Sequence, residues 1–241
     1  MNERLQVVLA HFGLASRRGV VEMIEQGRVE VNGVVVREKG FRVDPSKDKV
    51  ALDGNLLASR RPILRYFVFN KPRGVTTTMQ DPHAEKTVAD YFEDVLERLV
   101  PVGRLDRDTT GLLIMTNDGE LAFHLTHPKF EVEKTYRARV EGLVTNETVK
   151  ELKKGTLLEE GRTAPCKIEI ENKDANETEL LITLREGKKR HIRRIFQKAG
   201  HFVLQLERLS FGPVSLGHLG NGQKRELRSA ELNALKKAAG L

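Results

Sequence analysis

The amino-acid sequence predicts an α+β chain of two domains. A small unit of two helices and two strand pairs covers residues 1–62, and a larger one over 63–241 is built on a mixed, mainly antiparallel sheet flanked by helices. Three observations predict this. Helical spacing of apolar residues gives way to period-two alternation within the first sixty residues. The patterning then breaks at Ser59-Arg60-Arg61-Pro62, which reads as a short linker because the proline disfavours helix at Arg61. From Leu64 onward strands and helices intermix, without the regular alternation and phosphate-binding glycines of a doubly wound sheet.

Leu5, Val8 and Leu9 mark a first helix. A second is capped by Ser16 and closed by Gly27, with Arg17 and Arg18 at its start. Arg28-Val29-Glu30-Val31 alternates into Asn32-Gly33, a strong hairpin-turn pair, and resumes as Val34-Val35-Val36. Another strand pair follows around Val50 to Leu57. The larger domain opens with the aromatic strand Tyr66-Phe67-Val68-Phe69 and the turn Asn70-Lys71-Pro72-Arg73-Gly74. Helices are predicted near 87–98, 118–126, 145–154, 190–199 and 229–238. Strands are predicted within 100–116, where a loop leads into a strand, and over 134–141, 165–171, 178–185 and 202–209.

Composition narrows the function. At 241 residues the chain can bury a substantial core, and 41 Lys+Arg against 34 Asp+Glu give a net charge of +7 that suits a polyanion such as nucleic acid. The single Cys166 excludes an internal disulfide framework and a cysteine-rich zinc site, as in a reducing compartment; the cytoplasm is expected. No apolar run approaches the roughly 18–20 residues of a membrane span, and the amphipathic start carries no export signal. His124 and His127 sit three residues apart but lack further ligands, so no metal site is expected. The run Gly217 to Gly222 is followed by Gln223-Lys224 rather than Lys-Ser/Thr, and no dinucleotide fingerprint or P-loop is present; no cofactor is implied.

The run Gly103-Arg104-Leu105-Asp106-Arg107-Asp108-Thr109-Thr110-Gly111-Leu112-Leu113 sets one acid, Asp106, between two arginines ahead of an apolar strand. A carboxylate on such a loop can be aimed into a cleft while the strand anchors its backbone. The run resembles the central motif of the RNA pseudouridine synthases, in particular the RsuA/RluB type that modifies ribosomal RNA, whose pattern is Gly-Arg-Leu-Asp-x-x-Thr-x-Gly-Leu-Leu. Asn70 to Gly74, Lys134-Thr135-Tyr136-Arg137-Ala138 and Glu186 to Arg194 resemble the remaining motifs in the same order. Leu5, Gly13, Ser16-Arg17-Arg18, Gly27-Arg28-Val29 and Val31-Asn32-Gly33 resemble the S4 RNA-binding domain. That likeness implies that Arg4, Arg17, Arg18 and Arg28 reach backbone phosphates.

By this resemblance Asp106 is the catalytic carboxylate, Tyr136 the aromatic beside the target base, and Arg193 the basic partner that pairs with Asp106. Ile192 forms an apolar wall, and Arg104, Lys71 and Arg73 support the site or contact substrate. Lys188, Lys189, Arg190 and Arg194 neutralise phosphates. His191 departs from the Gln commonest at its position. An Arg in hydrogen-bonding reach lowers a carboxyl pKa by about 1–3 units, and stacking of an extruded base on an aromatic face contributes roughly 1–3 kcal/mol.

The reaction implied breaks the uridine N1–C1′ bond, rotates the uracil and joins C5 to C1′, with no redox change. Whether Asp106 attacks C1′, adds to C6 or abstracts a ribose proton stays open. The expected partner is ribosomal RNA or a pre-ribosomal particle, with an exposed uridine as target and the chain acting as a monomer. Tyr66 to Val75 and Thr126 to Tyr136 look more like the large-subunit (23S) branch than the small-subunit (16S) branch.

Two rival readings compete with this one. Asp106-Arg107-Asp108-Thr109-Thr110 fits the Asp-x-Asp-x-Thr pattern of magnesium-dependent aspartyl phosphotransferases, with Asp108 as the acid, but Val100 to Gly103 is a poor upstream strand and no downstream acidic pair is evident. A non-enzymatic S4-type ribosome-binding factor accounts for the charge but not for the set Asp106, Tyr136 and Arg193.

Overall fold

The structure, a computed structural model, describes residues 2–57 and 63–241, and within them all side chains but those of His11 and Arg17. The linker expected at Ser59 to Pro62 and the expected approach of Arg17 to phosphate lie outside the described residues. The chain forms two compact units, 1–64 and 65–241. Among the described residues no helix is long and apolar enough to cross a membrane.

In the first unit β1 (Glu3–Arg4) runs into α1 (Leu5–His11), followed by α2 (Arg17–Glu25), β2 (Val29–Val31), β3 (Val34–Val35), β4 (Arg42–Val43), β5 (Val50–Leu52) and β6 (Asn55–Leu56). The Ser16 hydroxyl accepts from the Gly19 amide at 3.0 Å and so caps α2. Asn32 and Gly33 both take positive φ, 52° and 81°, which matches the twist of the β2–β3 hairpin. Leu5 and Leu9 of α1, Val20 and Ile24 of α2, and Val29 of β2 close a core that excludes water almost completely.

The second unit contains β7 (Tyr66–Lys71), β8 (Val100–Pro101), β9 (Thr110–Thr116), α3 (Gly119–Thr126), β10 (Lys134–Glu141), α4 (Asn146–Lys153), β11 (Leu157–Leu158) and β12 (Gly161–Arg162). It continues with β13 (Lys167–Lys173), β14 (Glu177–Leu184), α5 (His191–Lys198), β15 (Val203–Phe211), β16 (Val214–Ser215), β17 (Lys224–Glu226) and α6 (Ser229–Ala238). Its main sheet runs β13-β14-β10-β15-β9-β7-β17, with β16 and β8 paired to β15 and β9. All of its pairings are antiparallel except β9 with β15.

The central strand β9 is buried on both faces, which explains its unbroken apolar run. Leu112 and Ile114 pack with Leu121 and Leu125 of α3 and Leu235 of α6, while Leu113 and Met115 pack with Phe67, Phe69, Phe92 and Leu99. Farther along the sheet, α4 and α5 cover Ala138, Val140, Ile168, Leu180 and Ile182.

The helix expected near 87–98 does not form; only a short 3₁₀ turn, Ala89–Tyr91, appears there. Asp90 takes the Thr87 amide at 2.9 Å and the Thr87 hydroxyl at 3.1 Å, a local capture that competes with helix propagation. Val88, Phe92 and Leu99 reach the core from an irregular chain, and Leu96 is left 99% exposed. Gly111 is required where β9 meets β15. It has φ +98°, and a Cβ there would lie 2.4 Å from the Arg208 carbonyl oxygen and 2.6 Å from its nitrogen.

Candidate active site

A cavity of about 520 Å³ opens where the loop after Gly103, β10, β15 and the start of α5 converge. Asp106, Tyr136 and Ile192 line it, together with Lys134, Arg208 and Phe211.

Asp106 is half-buried on a loop whose backbone is held on both sides. Before it, the Thr77 hydroxyl donates to the Leu105 carbonyl at 2.7 Å, and Leu105 is itself in the core. After it, the Gly74 amide donates to the Arg107 carbonyl at 2.7 Å, and the Arg107 Nε donates to the Gly74 carbonyl at 3.0 Å. The Thr109 amide closes the turn on the Asp106 carbonyl at 3.0 Å. The carboxylate is thus carried by a fixed support rather than a mobile tip.

Lys71, expected to support the site or contact substrate, is wholly buried and only supports. Its ammonium donates to the carbonyls of Pro72 at 2.8 Å, Val75 at 2.9 Å and, more weakly, Arg107 at 3.5 Å, so it ties the 72–75 turn to the Asp106 loop. Burial pushes its pKa down to about 8, against the opposing charges of Asp108 and Asp106. Arg73 is exposed and lines a separate cavity of about 400 Å³ with Asp108 and Arg137, so the structure does not bring it into the cavity of Asp106.

Arg193 projects from the first turn of α5, and its side chain is only 11% exposed. The expected partner was Asp106; the partner found is Asp108. Nη1 donates to the Val203 carbonyl at 2.8 Å, and Nη2 reaches the Asp108 carboxylate at 3.0 Å and its carbonyl at 3.3 Å. The physical reason is the tight turn at 106–109, which presents both acceptors of Asp108 to a guanidinium already fixed by β15. Burial lowers the Arg193 pKa, while the charges of Asp108 and then Asp106 oppose that shift, so Asp106 acts on Arg193 through space. Asp108 also faces Arg190 at 3.5 Å.

Tyr136 on β10 stands opposite Arg208 on β15 and is half-buried between two apolar clusters. Ile192 is 3% exposed and lines the cavity. Arg104, Lys188, Lys189 and Arg190 also line the cavity, with Arg104, Lys189 and Arg190 exposed at its rim. Lys188 donates to the Arg162 carbonyl at 3.1 Å. Arg194, expected on phosphate, is instead gripped by both oxygens of Glu160. In the first unit Arg4 and Arg18 are exposed, whereas Arg28 makes a two-pronged pair with Asp53 at 2.9 and 2.6 Å. His191 is 5% exposed with its Nε2 3.5 Å from Glu186, and neither ring nitrogen has a hydrogen bond among the described residues.

Sequence reasoning missed Thr77, Lys134 and Arg208. Lys134 stands in the motif that carries Tyr136, and Arg208 follows Glu207 in an otherwise uncharged strand; Thr77 sits in a run of three threonines that gives no sign of its partner.

Residues 65–198 match the RNA pseudouridylate synthase family, and residues 3–49 match the S4 domain. The chain is 43% identical over 239 residues to the ribosomal large subunit pseudouridine synthase B of Bacillus subtilis (strain 168), covering 98% of this chain and 97% of that protein. It is 39% identical to the protein of the same name from Pseudomonas aeruginosa, over 100% of this chain and 64% of the other. A crystal structure of a pseudouridylate synthase matches with a TM-score of 0.70 at 30% identity, covering 96% of this chain and 99% of that one. An S4 domain followed by an α+β unit with a pinned acid at a cavity is thus the architecture of an RNA-modifying isomerase. The chain belongs to the RNA pseudouridylate synthase family.

Proposed function

We propose that this enzyme converts a uridine of 23S ribosomal RNA to pseudouridine, working in the cytoplasm as a monomer, with Asp106 as its catalytic carboxylate and no cofactor. The observation that carries the reading is the setting of Asp106. It stands on a loop clamped by Thr77, Gly74 and Lys71, in a cavity that also presents Tyr136 and Ile192. The names of the relatives favour the large ribosomal subunit, and the S4 domain supplies a second RNA-binding unit.

Each group then has a task. The exposed Lys189 and Arg190, with Lys188 beside them, hold phosphates flanking the extruded nucleotide. The Tyr136 ring offers a face on which the uracil stacks, and Ile192 closes the apolar side. Arg193, oriented by Asp108, places a fixed positive charge behind the Asp106 loop. Asp106 then acts at the sugar or at C6 while the N1–C1′ bond breaks, the ring turns, and C5 joins C1′.

The test incubates deproteinised ribosomal RNA with the enzyme in EDTA and maps pseudouridine by chemical adduct and primer extension. Product at a discrete 23S position is expected, and product in 16S RNA alone would move the substrate to the small subunit. Asp106→Asn should lower the rate by at least about 10³-fold with RNA affinity unchanged. An active variant removes Asp106 from the chemistry.

A further inference from the structure

Arg208 is the largest fully buried side chain, at 2% exposure, yet it has no carboxylate partner among the described residues. Its Nε donates to the Leu112 carbonyl at 2.6 Å, and its Nη2 is buried without a hydrogen-bond partner. The guanidinium lies 5.0 Å from the Phe211 ring centre and 6.0 Å from that of Tyr136. Lys134 stands beside it, its ammonium 4.8 Å from the Phe211 ring centre and donating to the Val132 carbonyl at 2.8 Å. Burial and the neighbouring Arg208 push the Lys134 pKa down to about 8. Both side chains line the cavity that contains Asp106.

A buried guanidinium with one hydrogen bond and no counter-charge weakens a fold that an apolar residue at the same place would strengthen. Its retention points to an anionic ligand that completes it. The surroundings indicate which anion. Lys189 and Arg190 are exposed at the rim, open to phosphates, whereas Arg208 lies among Tyr136, Phe211, Leu184 and Leu206, walls suited to a flat ring with polar edges. Uracil is such a ring, with two carbonyl oxygens as acceptors.

We propose that Arg208 is a catalytic residue that receives, through hydrogen bonds to the uracil oxygens, the negative charge left on the base when its N1–C1′ bond breaks, with Lys134 as a second cation. The inference rests on the assignment of the Asp106 cavity as the site of isomerisation. Heterolysis leaves the bonding pair on the ring, spread over N1, O2 and O4. The electron-poor C1′ is relieved by bonding to the Asp106 carboxylate or by losing a neighbouring ribose proton, which is later restored. When C5 then bonds to C1′, the C5 proton departs and N1 gains a proton, so the product is an isomer and no charge accumulates. Arg208 keeps its own protons throughout and acts as a preorganised donor where charge develops.

Single-turnover rates on the target RNA with saturating enzyme test this. Arg208→Met should slow the reaction by about 100- to 1,000-fold. RNA affinity should be unchanged, and the unfolding midpoint should not fall. Arg208→Lys should retain part of the rate. The decisive readout uses RNA with 5-fluorouridine at the target, whose fluorine stabilises the departing anion, with loss of the intact nucleoside followed by nuclease digestion and mass spectrometry. The defect of Arg208→Met in that loss should shrink severalfold relative to its defect on uridine; equal defects on both RNAs, or a wild-type rate on uridine, overturn the proposal. If the Met variant does not fold, Arg208→Lys carries the same comparison. An inactive Asp106→Asn beside a fully active Arg208→Met refutes the role of Arg208 alone, whereas an active Asp106→Asn refutes the cavity assignment.

Discussion

In the first unit Arg4 and Arg18 stand in water and Arg28 is neutralised by Asp53; in the second, Arg193 is largely buried on Asp108 behind the cavity lining, and Arg208 is buried in the cavity wall with no acid at all among the described residues. Exposed cations attract a polyanion over a distance set by salt and contribute little to stability. Buried cations hold a fixed field in a low-dielectric site, where each hydrogen bond is worth more and each missing one costs more. One unit is arranged for reversible affinity, the other for chemistry, and only the second needs a wide sheet to keep charges in place.

Perturbation should therefore cost most where the cavity's support is tightest. Gly111→Ala drives a methyl into the backbone of Arg208 at a φ of +98°. It is expected to lower the unfolding free energy by about 3–5 kcal/mol, from backbone strain plus overpacking. Urea denaturation of the full chain measures this, and an unchanged midpoint would show that β9 and β15 can part without consequence. No site in the exposed arginine set of the first unit should approach that effect.

Next in size is Asp108→Asn, which removes the counter-charge from Arg193 and Arg190 while keeping the side chain's shape. On the role proposed for Arg193, kcat should fall by about 10- to 100-fold with little change in KM, as for a modest misplacement of a catalytic group. Asp108→Glu should restore part of the loss. A kcat equal to the wild type would mean that the Val203 carbonyl alone positions Arg193.

Why the resemblance pairs Arg193 with Asp106 while the structure pairs it with Asp108 is a matter of range. Features coded by near neighbours were legible: the Ser16 cap, the Asn32-Gly33 turn, and the periodicities that bound β10 at 134–141 and α6 at 229–238. The Asp106 run carried its own strand, loop and acid. Pairings across the chain were not legible. Lys71 reads as a candidate ligand because nothing local reveals that the Arg107 carbonyl, 36 residues on, closes around it. The choice between Asp106 and Asp108 depends on where β15 fixes the guanidinium, and the 87–98 segment has apolar residues at roughly helical spacing that a local side-chain capture redirects.

The exposed side of the comparison is sharpened by salt. Replacing both Arg4 and Arg18 with Ala should reduce the slope of log affinity against log salt by about 0.7–0.9 for each phosphate that an arginine no longer neutralises, read by filter binding. The weakening should appear in affinity rather than in the rate at saturating enzyme. Arg28→Ala should change the slope less, because Asp53 already compensates it. Equal slopes for Arg28→Ala and Arg18→Ala would show that RNA displaces Asp53.

The smallest effect separates the two units by pH. Arginines do not titrate in the physiological range, so the exposed arginine charges of the first unit stay constant there. His191 does titrate, and it sits beside Ile192 and Arg193 at the start of α5. Burial pushes its pKa below the ordinary value, with Glu186 and Glu160 opposing and Lys188 and Arg194 assisting. In the unfolded chain it takes its proton near pH 6.5, and in the folded chain only at lower pH. Between those values the unfolded state binds more protons, so this contribution to stability is complete above about pH 6.5 and is lost as the pH falls through the folded value. His191→Gln should remove that acid-dependent decline in the urea midpoint between pH 8 and pH 5 while leaving the midpoint above pH 7 nearly unchanged. Parallel pH curves for the wild type and the variant would mean that His191 takes its proton in the folded protein as readily as in the unfolded one, and that the turn carrying Arg193 is insensitive to it.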